Sequence, residues 1–95
     1  MSGAEAQRID KWLWHARFAR TRTAAQRLIE DGHIRVNREK VSASSRAVRV
    51  GDVLTIALAR GVRVIRVLGI SERRGSATAA AELFGDLADE AGQLE

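Results

Sequence analysis

The hydrophobic period of this chain changes at Gly32, and no other feature constrains the fold as much. Before Gly32, apolar residues recur at helical spacing. At about 100° per residue, Ile9, Trp12, Leu13, Ala16 and Ala19 gather on one face, which predicts a helix from Ile9 to near Arg20. Arg8, Lys11, His15 and Arg17 fall outside that stripe, and His15 is read as a surface residue. Trp14 and Phe18, four apart, form a second ridge, expected to pack under a C-terminal helix against Leu83 and Phe84. Thr23-x-x-Gln26 has the spacing of a capping box, in which each side chain satisfies an orphan amide, so a second helix is expected there. Ala25, Leu28 and Ile29 form its core face, and Gly32 is its left-handed cap.

After Gly32 the period is two. Ile34 and Val36 point one way while His33 and Arg35 point the other. Asn37-Arg38-Glu39 is a turn into a short strand at Lys40–Val41, and Ser42–Arg46 is a polar loop. Val48 and Val50 alternate up to the Gly51-Asp52 turn. Val53–Leu58 and Val62–Ile70 read as strands, the second interrupted by Arg63 and Arg66. Thr78–Leu87 is expected to be a terminal helix with Ala80, Leu83, Phe84 and Leu87 inward, followed by a fraying acidic end. Two helices followed by about four short strands make a small α+β domain. Its expected limits are a flexible terminus over 1–7, a folded domain over 8–70, and a basic linker, short helix and acidic tail over 71–95.

The 95 residues suffice for one core, and 45% of them are apolar. No run of about 18 apolar residues occurs, which argues against a membrane span. The N-terminus lacks the layout of a secretory signal, so a cytoplasmic protein is expected. With no cysteine there are no disulfides, thiol nucleophiles or thiolate metal sites. Residues 8–74 hold all 16 basic residues and six acids, a net +10, whereas 75–95 carry five acids and no base. A body so basic, mostly in arginine, is the electrostatic footprint of a protein that meets a polyanion.

Catalytic patterns are missing. His15 and His33 have no metal-binding spacing, Ser42–Ser45 is not a nucleophile elbow, and the glycines stand singly. Asp10 and Glu30 read as solvated carboxylates or ion-pair partners of arginine. No enzyme, cofactor or metal is expected. The candidate site is instead cationic. Arg8 and Lys11 lie on the first helix, Arg20, Thr21 and Arg22 precede the second, Arg27 lies one turn on, and Asn37, Arg38 and Lys40 lie at the hairpin. If they converge, they form an arginine-lined cradle for a nucleic-acid backbone.

Arg8-Ile9-Asp10-Lys11-Trp12-Leu13, Thr21-Arg22-Thr23-Ala24-Ala25, Leu28-Ile29-Glu30-Asp31-Gly32, Val36-Asn37 and Val50-Gly51-Asp52 stand in order and register. Together they resemble the S-four-type RNA-binding domain, which contains the alpha-L motif. Lys11-Trp12-Leu13-Trp14, Ala16-Arg17-Phe18 and Glu72-Arg73-Arg74-Gly75 resemble more closely the small ribosome-associated fifteen-kilodalton heat-shock family. The resemblance implies two short packed helices on a small, mostly antiparallel sheet with a C-terminal helix. It also implies a non-catalytic protein bound to ribosomal RNA of the large subunit, active in rescue or recycling of stalled nascent-chain complexes, with tRNA a further partner. By position, Arg8, Lys11, Thr21, Arg22 and Arg27 would line the helical side of its RNA surface, and Asn37, Arg38 and Lys40 the hairpin side. A monomer with no membrane partner is expected. A DNA-binding regulator, or at least weak DNA binding, and an RNA-presenting module for a modifying enzyme are the competing readings. Asn37-Arg38 departs from the Asn-Gly usual at the family's hairpin, and the acidic C-terminus departs from a basic extension.

Overall fold

The switch of period at Gly32 is a switch from helix to strand. The computed structural model describes residues 6–87. Helix α1 spans Ile9–His15 and α2 spans Arg22–Glu30. Gly32 follows α2 in the left-handed region at φ +83°. That conformation favours glycine, whereas the Lys40 Cε that a Cβ would meet at 2.6 Å belongs to a flexible, exposed side chain that can swing away.

The remaining elements are strands with one short helix. Strand β1 (Ala6–Arg8) pairs antiparallel with β4 (Ala47–Arg49). A five-stranded sheet runs in the order β3-β2-β5-β6-β7, with β2 at Ile34–Val36, β3 at Glu39–Lys40, β5 at Val53–Leu58, β6 at Gly61–Val67 and β7 at Phe84–Asp86. All its pairings are antiparallel, and the register sets Ile34 opposite Ile56 and Leu54 opposite Ile65. These side chains point inward. With Ile9, Trp12, Leu13, Ala25 and Ile29 they form one core between the helices and one face of the sheet. Among the described residues no helix is long and apolar enough to cross a membrane.

Several expectations are corrected. Strand β1 takes up Ala6 and Gln7, in a stretch whose small polar residues predict a loose terminus; residues 1–5 lie outside the described range. Helix α1 ends at His15 because Arg17 turns left-handed at φ +67°. Ala16 and Ala19 are buried nonetheless, from the connection that follows. Helix α2 starts at a Thr21 cap, whose hydroxyl accepts the Ala24 amide at 3.0 Å. The expected terminal helix is a single turn, α3 (Ala77–Ala81), capped by Ser76. Beyond it the chain becomes β7, in which Phe84 pairs with Val67 and supplies β6 with its second neighbour. Tertiary pairing overrides the helical propensity of the alanine run there. The acidic tail over 88–95 lies outside the described residues.

The aromatic ridge divides. Phe18 packs on Trp12 at 6.1 Å and on Phe84 at 4.7 Å between ring centroids, as expected for Phe84. The Arg63 guanidinium covers both phenylalanine rings and pairs with Asp86 at 3.1 Å. Trp14 instead lies beside His15. The linker before α3 is strapped across α1. Trp12 Nε1 donates to the Gly69 carbonyl at 2.9 Å, Gln7 to that of Ser71, Arg17 to that of Gly75, and Arg74 Nε to that of Trp14.

Candidate nucleic-acid interface

Asp10 has no exposed surface, and a buried carboxylate is tolerated only with donors around it. It lies in the first turn of α1, where its Oδ1 accepts the Lys11 amide at 2.7 Å and Arg8 Nε at 3.2 Å. Its Oδ2 accepts Arg8 Nη2 at 3.1 Å, Gln26 Nε2 at 3.0 Å and Arg22 Nε at 3.4 Å. Burial by itself pushes this carboxyl up, but Gln26, Arg8, the Lys11 amide and Arg22 together hold it below its ordinary value. The group is therefore an anion at neutral pH. It was expected either as a solvated carboxylate or as an arginine partner, and it is the second. Gln26, expected in a capping box, is used here instead.

One carboxylate thus fixes two guanidiniums side by side. The Arg8 and Arg22 side chains remain 48% and 40% exposed, with N–H donors left over toward water. Lys11 is adjacent in sequence and partly exposed. One turn further on, His15 is buried, contrary to its expected surface position, with Nδ1 2.8 Å from the Ser71 carbonyl. Burial pushes its pKa down; the Ser71 carbonyl opposes this, and the charges of Lys11, Arg22 and Arg74 add to the lowering. Arg74 therefore joins the cationic neighbourhood, though it was absent from the expected site. The basic Arg73-Arg74 pair was its signal in the sequence.

The other expected residues divide by role. Thr21 is exposed, but its hydroxyl is used in capping α2. Arg20 is exposed in the connection leading to that cap. Arg27 is exposed, but five residues after Arg22 it points about 140° away around the helix. At the hairpin, Asn37 and Arg38 both have positive φ, +50° and +78°. A two-residue turn of this type favours glycine at its second position, so Arg38 costs about 1 kcal/mol there. Asn37 ties the hairpin to β5: its Oδ1 accepts the Val53 amide at 3.0 Å and its Nδ2 donates to Asp52 at 3.1 Å. Arg38 is exposed at the tip, and Lys40 lays its stem over Gly32 while remaining exposed.

The cations therefore do not meet at one point. Arg8, Lys11 and Arg22 sit at the start of α2, and Lys40 sits beyond its end, about 15 Å along the axis. The surface is elongated, with a fixed cluster at one end and a hairpin at the other.

Comparison with known proteins gives the same frame. The S4 domain family model matches residues 7–54. Heat shock protein 15 of Escherichia coli K12 is 38% identical over 82 residues, 86% of this chain and 61% of its own length. The chain thus spans about three-fifths of that relative. The small ribosomal subunit protein uS4 of Rhodopseudomonas palustris BisB5 is 41% identical over 54 residues, 57% of this chain and 26% of its own. A structure of Vibrio cholerae heat shock protein 15, described as trimeric, superposes with a TM-score of 0.84 at 31% identity, covering 94% of this chain and 89% of that one.

Proposed function

We propose that this chain, which belongs to the S4 domain family, is a non-catalytic RNA-binding protein that engages structured ribosomal RNA of the large subunit in rescue or recycling of stalled nascent-chain complexes. The observation that carries this reading is the Asp10 anchor, which holds Arg8 and Arg22 side by side next to Lys11. Two oriented guanidinium forks with spare donors suit phosphate oxygens, and fixed spacing between cations reads the shape of a folded backbone. Phosphate neutralisation releases counterions, so with about five phosphates engaged the log–log dependence of affinity on salt has a slope of about −3 to −5. The likeness to the small ribosomal subunit protein uS4 over 57% of the chain supports the ribosomal setting.

The test is cosedimentation with purified ribosomal subunits. Wild-type protein is expected with the large subunit, and Lys11→Ala/Arg22→Ala protein at the top of the gradient. Wild-type protein left at the top, or riding equally with both subunits, would reject the large-subunit assignment. The proposed RNA-binding unit is a single chain, and sedimentation equilibrium distinguishes it from the trimer described for the Vibrio relative.

A further inference from the structure

Among the described residues, the five-stranded sheet is covered on one face only. Alternation along its strands sends Leu54, Ile56 and Ile65 to the core and Arg35, Lys40 and Arg66 to the opposite face, which holds no carboxylate at its outward positions. Between these cations lies a cavity of about 390 Å³ lined by Asn37, Arg38, Val53, Thr55 and Val64. Register places Arg35 beside Thr55 and Arg66 beside Val53, so these two arginines neighbour the lining residues on either side, and Arg38 lines the cavity at its hairpin end. Among the described residues, none of these three arginines forms an ion pair.

The floor is apolar, arginines stand around it, and the nearby acid Asp52 is already engaged by Asn37 Nδ2 and the Arg49 amide, an arrangement that selects a ligand with a flat apolar part and an attached anion. We propose that this groove binds an unstacked nucleotide of single-stranded RNA, the base over Val53, Val64 and the Thr55 methyl and the flanking phosphates on Arg35, Arg38 and Arg66. The ribosomal-RNA reading above supplies the partner: a folded RNA on the Asp10 side reaches the outer face around the shared hairpin, where Arg38 and Lys40 stand. An apolar protein partner would leave the three guanidiniums without counter-charge, which is the reason for preferring RNA.

The probes are an oligouridylate and a blunt RNA hairpin with and without a single-stranded 3′ extension, titrated against the full chain. The extension is expected to tighten wild-type binding about tenfold. Arg35→Ala/Arg66→Ala should lose that gain and the oligouridylate, yet bind the blunt hairpin and melt as wild type does, since both side chains are exposed. Hairpin binding with no gain from the extension and no oligouridylate binding would overturn the groove and leave the ribosomal-RNA reading standing. Loss of hairpin binding alone, with oligouridylate still held through Arg35 and Arg66, would overturn that reading and uphold the groove. Self-association abolished by Val62→Asp, with oligouridylate unbound, would overturn the groove and give the face to a second copy.

Discussion

Two sets of arginines stand on this small domain under opposite conditions. Arg8 and Arg22 share a buried carboxylate, whereas Arg35, Arg38 and Arg66 have no carboxylate partner among the described residues. Ordering a long side chain on binding costs about 0.5–1.5 kcal/mol, and folding has already ordered the first pair. The anchored pair therefore offers a rigid spacing suited to structured RNA, and the free set offers charge that adapts to a mobile strand. Charge alone does not separate the two faces; the placement of one aspartate does.

The largest effect expected is from removing that aspartate. Asp10→Asn keeps one acceptor but leaves Arg8 and Arg22 partly unpaired against a buried amide. Stability should fall by about 2 kcal/mol in urea titration, and structured-RNA affinity at least tenfold. Unchanged affinity in a folded Asp10→Asn protein would show that the anchor does not position the cations. Next in size, Lys11→Ala/Arg22→Ala should weaken hairpin binding and make the salt slope less negative by about 2. Arg35→Ala/Arg66→Ala should leave that slope as it is for a blunt hairpin. Equal slopes for the two variants would erase the distinction between the faces.

The same contrast governs what the sequence made legible. Positions whose environment is set by near neighbours were readable: the stripe of Ile9, Trp12, Leu13, Ala16 and Ala19 is buried, as are Ile34 and Val36, and Gly32 is left-handed. Asp10 was not, because two of its donors come from residues 12 and 16 positions away on another helix. His15 was misread for a similar reason, its cover coming from the linker at Ser71. Phe84–Asp86 carried a helical pattern, and only the free edge of β6 makes it a strand. The convergence of all the cations was an assumption about packing, and the length of α2 keeps the two ends apart.

Arg38 is exposed at the hairpin tip and held in a costly conformation, so its removal should have a smaller effect. Arg38→Gly removes the side chain from a left-handed position, so thermal stability should rise by about 1 kcal/mol. RNA affinity should fall a few-fold at the same time. A variant less stable than wild type would show that Arg38 makes native contacts worth more than its strain.

The smallest effect expected comes with acid, and it should appear on the anchored side alone. The folded pKa of His15 lies below its ordinary 6.5, so below that pH the unfolded chain binds more protons and folding loses free energy. The Asp10 carboxyl lies below its ordinary 3.8, so its contribution is complete above that value and is lost only as the pH falls further. Stability should therefore be flat above neutrality, decline below about pH 6.5 by no more than about 1.4 kcal/mol per unit, and decline again below about pH 3.8. His15→Asn places an amide where Nδ1 meets the Ser71 carbonyl and cannot take up the proton, so the first decline should vanish while the second stays. Hydrogen exchange locates the effect: near pH 5.5 the amides of α1 should lose protection before those of β5 and β6, whose outward positions hold no histidine or carboxylate. Loss of protection in the sheet first would place the acid-sensitive contact outside the α1 strap.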